Sequence, residues 1–372
     1  MHEIAELSKG IGISKEQLSE NGTPCILYGE LYTKYKSEII SKIISKTDIE
    51  KSKLKHSKQN DVIIPCSGET AIDIAVARCV PFDNVLLGGD MNVIRLHKYD
   101  GAFMAYQLNG KRKTDIAKLA QGVSVVHLYG ENLKSIKTYN PSLQEQQKIV
   151  KLLSMLDERL EVQNKIIEDL KKLKSAIIDK LYSSTNGEIY SFRQLFEVVN
   201  EKNKARAYKN VLSASQELGM IERSDINIDI KFEQESISGY KIVHKGDYVV
   251  HLRSFQGGFA FSDRTGICSP AYIILRPNDL VVYGYLSHFF TSKPFIKSLK
   301  LVTYGIRDGR SINVDEWLDM PILLPPAQEQ IRILTIVNAI DAKLHNEVKV
   351  QFCLSSQKSY LYYVYMNICF SK

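Results

Sequence analysis

The chain has none of the short signatures that nucleotide-using enzymes commonly carry. No G-x-x-x-x-G-K-[ST] phosphate loop occurs, and no G-x-G-x-x-G opens a helix. Gly10-Ile11-Gly12 is only a pair of glycines, and Leu87-Gly88-Gly89-Asp90 reads as a turn. The eight histidines form no H-x-x-x-H pair, which removes the usual helical zinc site. Cysteine is sparse and scattered: Cys25, Cys66, Cys79, Cys268, Cys353 and Cys369 include no C-x-x-C, so buried free thiols are expected and neither a disulfide framework nor a metal site. No apolar run approaches the roughly 18 residues of a membrane span, and no signal peptide opens the chain, which predicts a cytoplasmic protein with no membrane partner.

What remains is an ordinary globular composition. The 372 residues are 44% hydrophobic and 24% charged, enough for two to three domains with their own cores. The net charge of +7 is modest, but its distribution is uneven: residues 34–58 hold eight lysines against Glu38, Asp48 and Glu50. Such a run, with Lys34 and Lys36 at its start, suits phosphate attraction without sequence preference.

The most informative feature is a repeat. Pro141-Ser142-Leu143-Gln144-Glu145-Gln146-Gln147-Lys148-Ile149 returns 184 positions later as Pro325-Pro326-Ala327-Gln328-Glu329-Gln330-Ile331-Arg332-Ile333. The register then holds without a gap, pairing Leu153 with Val337, Asp157 with Asp341, Leu170 with Leu354 and Ile177 with Leu361. A period this long is a duplicated domain and not a solenoid. Each copy is a globular region followed by a Pro-opened helix.

Residues 142–183 predict the first helix, with a capping box at Ser142-Leu143-Gln144-Glu145 and turn formers at Ser184-Thr185-Asn186-Gly187. Leu156, Leu160, Gln163, Ile167, Leu170, Lys174, Ile177 and Leu181 follow alternating steps of four and three, a coiled-coil seam with two polar breaks. Forty-two residues make a rod of about 63 Å, which needs a helical partner. The second helix, about Ala327 to Asn367, offers Ile340, Leu344, Leu354 and Leu361 at matching positions, broken by Glu347, Gln351 and Lys358. The expected partner of each helix is the other, antiparallel. In the globular parts, Asp61-Val62-Ile63-Ile64-Pro65 and Asn92-Val93-Ile94-Arg95-Leu96 read as strands, and the segments from Asp247 and from Ala271 match them in type.

An enzyme site is not found. Asn140-Pro141-Ser142-Leu143 shares two residues with the Asn-Pro-Pro-aromatic signature of amino-methyltransferases, then lacks the aromatic that would stack on a base. Glu347-Val348-Lys349 has nuclease-like spacing without an upstream acid and reads as a surface charge pair. Residues able to fork hydrogen bonds to base edges do lie in turns after strands. In the first half these are Ser67, Glu69 and Thr70, with Lys111 and Arg112 later; in the second they are Arg253, Ser254, Gln256, Arg307 and Arg310. Arg suits guanine, Gln suits adenine, and Glu69 could accept from a cytosine amino group.

At the duplicated Pro-x-x-Gln-Glu-Gln stretches and the helices behind them, the chain resembles the specificity subunits of type I restriction-modification systems. The resemblance extends to Gly29-Glu30-Leu31-Tyr32-Thr33-Lys34-Tyr35, to the segment from Ile64 to Ala71, and to Gly305-Ile306-Arg307-Asp308-Gly309. It implies an α+β chain: two pseudo-symmetric α/β target recognition domains (residues 1–140 and 186–325), separated by two long antiparallel coiled-coil helices (141–185 and 326–372). It also implies a non-catalytic reader of bipartite double-stranded DNA. Two methylation subunits would clasp the helices, with S-adenosylmethionine on those partners, and restriction subunits would bring ATP. The rivals are a coiled-coil adaptor between proteins, and a DNA methyltransferase or nuclease with recognition domains of its own.

Overall fold

The computed structural model describes residues 1–50, 54–215, 218–223, 234–251, 258–304 and 311–367. They fall into two compact units, Met1–Lys165 with Lys349–Lys372, and Ile166–Val348. Two long helices are shared between the units: a central helix, Leu143–Ser183, and a terminal helix, Ala327–Asn367. Each unit therefore owns one globular body, one part of the central helix and one part of the terminal helix.

In the first unit an antiparallel sheet runs through β1 (Ala5–Lys9), β2 (Asp61–Pro65), β3 (Arg78–Val80) and β4 (Met91–Leu96), in the spatial order β1-β4-β2-β3. Val62, Ile64 and Ile94 enter one core, while Ile63, Met91 and Val93 enter another. A sheet covered on both faces explains why β2 is an unbroken apolar run and not an alternating one. Helix α1 (Gly101–Asn109) follows β4, with Asp100 Oδ1 accepting from Phe103 N at 2.8 Å as its cap.

The second unit repeats this plan. Its sheet holds β5 (Phe196–Val199), β6 (Tyr248–Val250), β7 (Phe259–Phe261) and β8 (Ile273–Pro277), ordered β5-β8-β6-β7, and α2 (Tyr285–Phe289) follows β8. The two globular bodies share a detail that the divergent sequences conceal. Asp61 accepts from Lys58 N and holds the Arg95 guanidinium through both carboxylate oxygens, at 2.9 and 2.7 Å. Asp247 accepts from His244 N and holds Arg276 in the same way, at 2.9 and 3.0 Å. One residue in each unit thus closes the turn before a strand and clamps the neighbouring strand.

The long helices begin as the sequence predicts. Ser142 and Glu145 close the capping box reciprocally, Ser142 N to Glu145 Oε2 at 3.0 Å and Glu145 N to Ser142 Oγ at 3.4 Å. Within each unit the two helix segments run antiparallel. In the first, Asp157 meets Lys358 and Asn164 meets Gln351; in the second, Lys174 meets Asp341 at 2.5 Å. These polar residues are therefore not breaks in a seam but the pairs that set its register.

The seam is only partly the expected one. Leu156, Ile167 and Leu354 are buried, while Leu160, Leu170, Leu181, Ile340, Leu344 and Leu361 are half-buried. Leu153, outside the expected seam, is fully covered. At the far end Ile178 joins the core and Ile177 stays half-buried. A real helix drifts about 20° per heptad from a strict 3.5 repeat, so three heptads beyond Leu156 the contact has moved on by more than half a residue. The thiol expectation also needs one correction: Cys25, Cys66, Cys79 and Cys268 are buried, but Cys353 lies exposed on the terminal helix, where the seam faces away from it. Cys369 lies outside the described residues. Among the described residues no helix is long and apolar enough to cross a membrane.

Candidate nucleic-acid interface

The turn after β2 is held from three sides. Cys66 N donates to Asp90 O at 2.7 Å, Ser67 Oγ donates to Asp90 Oδ2 at 2.5 Å, and Ser67-Gly68 pairs with Val126-His127. Asp90 sits at φ 60°, a left-handed conformation that Asp tolerates better than most side chains. Glu69 and Thr70 follow on the exposed lip of the turn. Thr70 already has work there: its Oγ1 accepts from Asp73 N at 3.2 Å, capping the helical turn Ala71–Ile74.

Three residues not picked from the sequence join this face. Tyr129 is half-exposed, Lys9 Nζ lies 5.9 Å from its ring centre, and His127 stacks on it at 6.4 Å. An exposed aromatic beside a lysine is a natural platform for bases and phosphates. Lys9 and Tyr129 are 120 positions apart, so no local pattern could have joined them.

The other candidates are more committed structurally. Lys34 Nζ reaches the buried Glu30 carboxylate at 2.6 Å and Ser45 Oγ at 3.2 Å, and Lys36 Nζ reaches Tyr32 O at 3.3 Å. The Tyr32 hydroxyl is pushed up by burial first, then by Tyr28, Glu69, Asp73 and Asp90, which places it beside the turn. Arg112 pairs with Asp115 at 3.2 Å, and Lys111 is exposed. Both follow Gly110, where a Cβ would come within 2.8 Å of the Tyr362 ring of the terminal helix. In the second unit Arg253, Ser254, Gln256, Arg307 and Arg310 lie outside the described residues. Their flanks are paired: His251 N donates to Gly258 O at 2.6 Å, and Thr303–Tyr304 pairs with Ser311–Ile312.

The junctions themselves explain the repeated motif. Gln146, fully buried, accepts from Asp100 N at 2.9 Å and donates to Pro141 O at 2.7 Å. Gln330 accepts from Val282 N at 2.8 Å and donates to Leu280 O and Pro325 O, both at 2.9 Å. The last glutamine of each Gln-Glu-Gln is thus a latch between helix and globular body. Gln330→Leu leaves one buried backbone group, Pro325 O, and two part-buried ones without their partner, and is expected to cost about 1–3 kcal/mol. Urea unfolding followed through Trp317, the single tryptophan, in the second unit's core, checks this; a loss under about 1 kcal/mol would contradict the latch.

One step along, the helix aspartates are contacted differently. Asp157 accepts from Tyr106 Oη at 2.5 Å and pairs with Lys358, which also reaches Glu38 at 3.1 Å. Asp341 pairs with Lys174, and His288 Nε2 lies 3.9 Å away. Burial, and then Lys174, hold the His288 imidazole below its ordinary value of 6.5, against Asp341 and Asn338. A folded value below the unfolded one means a stabilising contribution that is complete above pH 6.5 and is lost as pH falls. The second unit is expected to weaken as pH falls below 6.5, and His288→Gln to flatten that slope in thermal melts.

These features define a duplicated scaffold in which each unit latches a globular body to the long helices. Residues 1–172, a little under half of the chain, match the family model of the type I restriction modification DNA specificity domain, and this match supports a DNA-recognition subunit of the type I restriction-modification class. The fold agrees along the whole chain. The type I restriction-modification S subunit from M. genitalium shares it at TM-score 0.60 and 17% identity, over 97% of this chain and 93% of that one. A chain from a structure of complex assembly and conformational transition of the type I R-M system shares it at TM-score 0.55 and 14% identity, over 97% and 95%.

Proposed function

We propose that each globular body reads one half of a bipartite duplex site and that the two helices set the spacer between the halves. The observation that carries this is the repetition of the junctions. Both units use the same glutamine latch, the same Asp–Arg clamp and the same Lys–Asp pair, while the segments proposed to read bases differ in sequence. Like scaffolds carrying unlike turns suit a target whose halves differ in sequence. In the first unit the contacts are assigned to Ser67, Glu69 and Thr70, supported by Lys34, Lys36, Lys111 and Arg112. In the second they are assigned to Arg253, Ser254, Gln256, Arg307 and Arg310.

On this reading the chain is non-catalytic and cytoplasmic. Two methylation subunits clasp the exposed helix faces and bring S-adenosylmethionine, and restriction subunits bring ATP. Met155, Val162 and Leu173 are exposed apolar residues on the central helix, which suits docking there. Long-read mapping of adenine methylation in the host, with the gene intact and disrupted, is expected to lose one bipartite motif. Unchanged methylation, or methyl transfer by the purified chain alone, would count against it.

A further inference from the structure

The 184-residue offset makes each helix junction a control for the other. It relates Asp157 to Asp341, Lys358 to Lys174, and Tyr362 to Ile178. In the first unit the junction is full. Tyr362 packs edge-on against Tyr106 with ring centres 6.0 Å apart and donates to Tyr106 O, and Lys358 lies between two carboxylates, Asp157 and Glu38. In the second unit isoleucine replaces the tyrosine ring, and among the described residues Lys174 pairs with Asp341 alone.

A cavity of about 780 Å³ stands at that place, within one unit, lined by Lys171, Lys174, Ile178, Phe259, Phe261 and His345 among others. This is the size of a small-molecule site, with apolar walls and a few polar groups. Its lysines outnumber its one carboxylate, Asp341, and Lys171 has no ion-pair partner among the described residues. What the first unit has here and the second lacks is one carboxylate and one aromatic ring.

We propose that this cavity binds a small organic anion, a carboxylate or phosphate monoester on a body about the size of one aromatic ring. The anionic group would sit beside Lys174 and Lys171, where Glu38 sits beside Lys358 in the other unit. The ring would occupy the space that Tyr362 fills there, against Phe259 and Phe261. Occupancy would brace the second globular body against its helices from within. The site stands on the geometry of the second unit alone and does not depend on what either body reads.

Calorimetric titration of the full chain with benzoate and with phenyl phosphate tests it, with benzyl alcohol as the neutral control. Trp317, whose ring centre is 4.8 Å from that of Phe259, gives an independent fluorescence readout. One saturable site with a Kd of about 1 mM or tighter is expected for an anion, with the alcohol about tenfold weaker or worse. Tighter benzoate points to a carboxylate ligand, and tighter phenyl phosphate to a phosphate ester. Lys171→Ala, on the exposed rim, should weaken the anion about tenfold, and Ile178→Tyr should plug the cavity as Tyr362 does. Absence of saturable binding by both anions, or binding to Lys171→Ala with wild-type affinity, would overturn the proposal.

Discussion

Replacing Lys358 with leucine is expected to destabilise the chain by about 3–5 kcal/mol, the largest loss from any single helix substitution discussed above. The ammonium is mostly covered, with 21% of the side chain exposed, and its partners are more so: 12% for Glu38 and 11% for Asp157. Burial alone would lower the Lys358 pKa, but Glu38 and Asp157 outweigh it and raise it. Removing the lysine leaves two mostly buried carboxylates without the ammonium they share. The matched change in the other unit, Lys174→Leu, frees a single carboxylate that is 35% exposed, and should cost only about 1 kcal/mol. Hydrogen exchange on both variants separates the units. Equal costs for the two substitutions would show that the second carboxylate, and the burial around it, count for nothing.

Lengthening both helices together is expected to change the spacer of the recognised DNA and nothing else. The pairs Asp157 with Lys358 and Asn164 with Gln351 in the first unit, and Lys174 with Asp341 in the second, each set an antiparallel register within their unit. Seven residues inserted after Lys165, and seven more after Lys349, keep that register and the heptad phase. At 1.5 Å per residue each helix grows by about 10.5 Å, or roughly three base pairs at 3.4 Å each. Methylation mapping should then return both original half-sites with about three more bases between them. The same insertion in the central helix alone would slide Asp157 away from Lys358 or Lys174 away from Asp341, and is expected to abolish methylation. An altered half-site after the double insertion would sink the ruler.

Much of this molecule was determined locally. A capping box, proline and heptad spacing act over a few residues, so the central helix starts within one residue of where Ser142 and Glu145 put it, and the terminal helix spans Ala327–Asn367 as its period requires. Strand β2 is the apolar run Asp61–Pro65, because a doubly covered strand needs no alternation. The repeat alone announced two copies of one architecture. Tertiary structure decided what the repeated residues do. Gln146 and Gln330 became latches because backbone groups from other segments, Asp100 N and Val282 N, were left needing acceptors. Lys174 and Lys358, apparent flaws in a seam, became its register pins once aspartates arrived opposite them. Lys9 met Tyr129 for the same reason. Periodicity reports which face of an element is buried, but the partner is chosen by closure of the chain over a hundred residues or more, and only the folded chain records that choice.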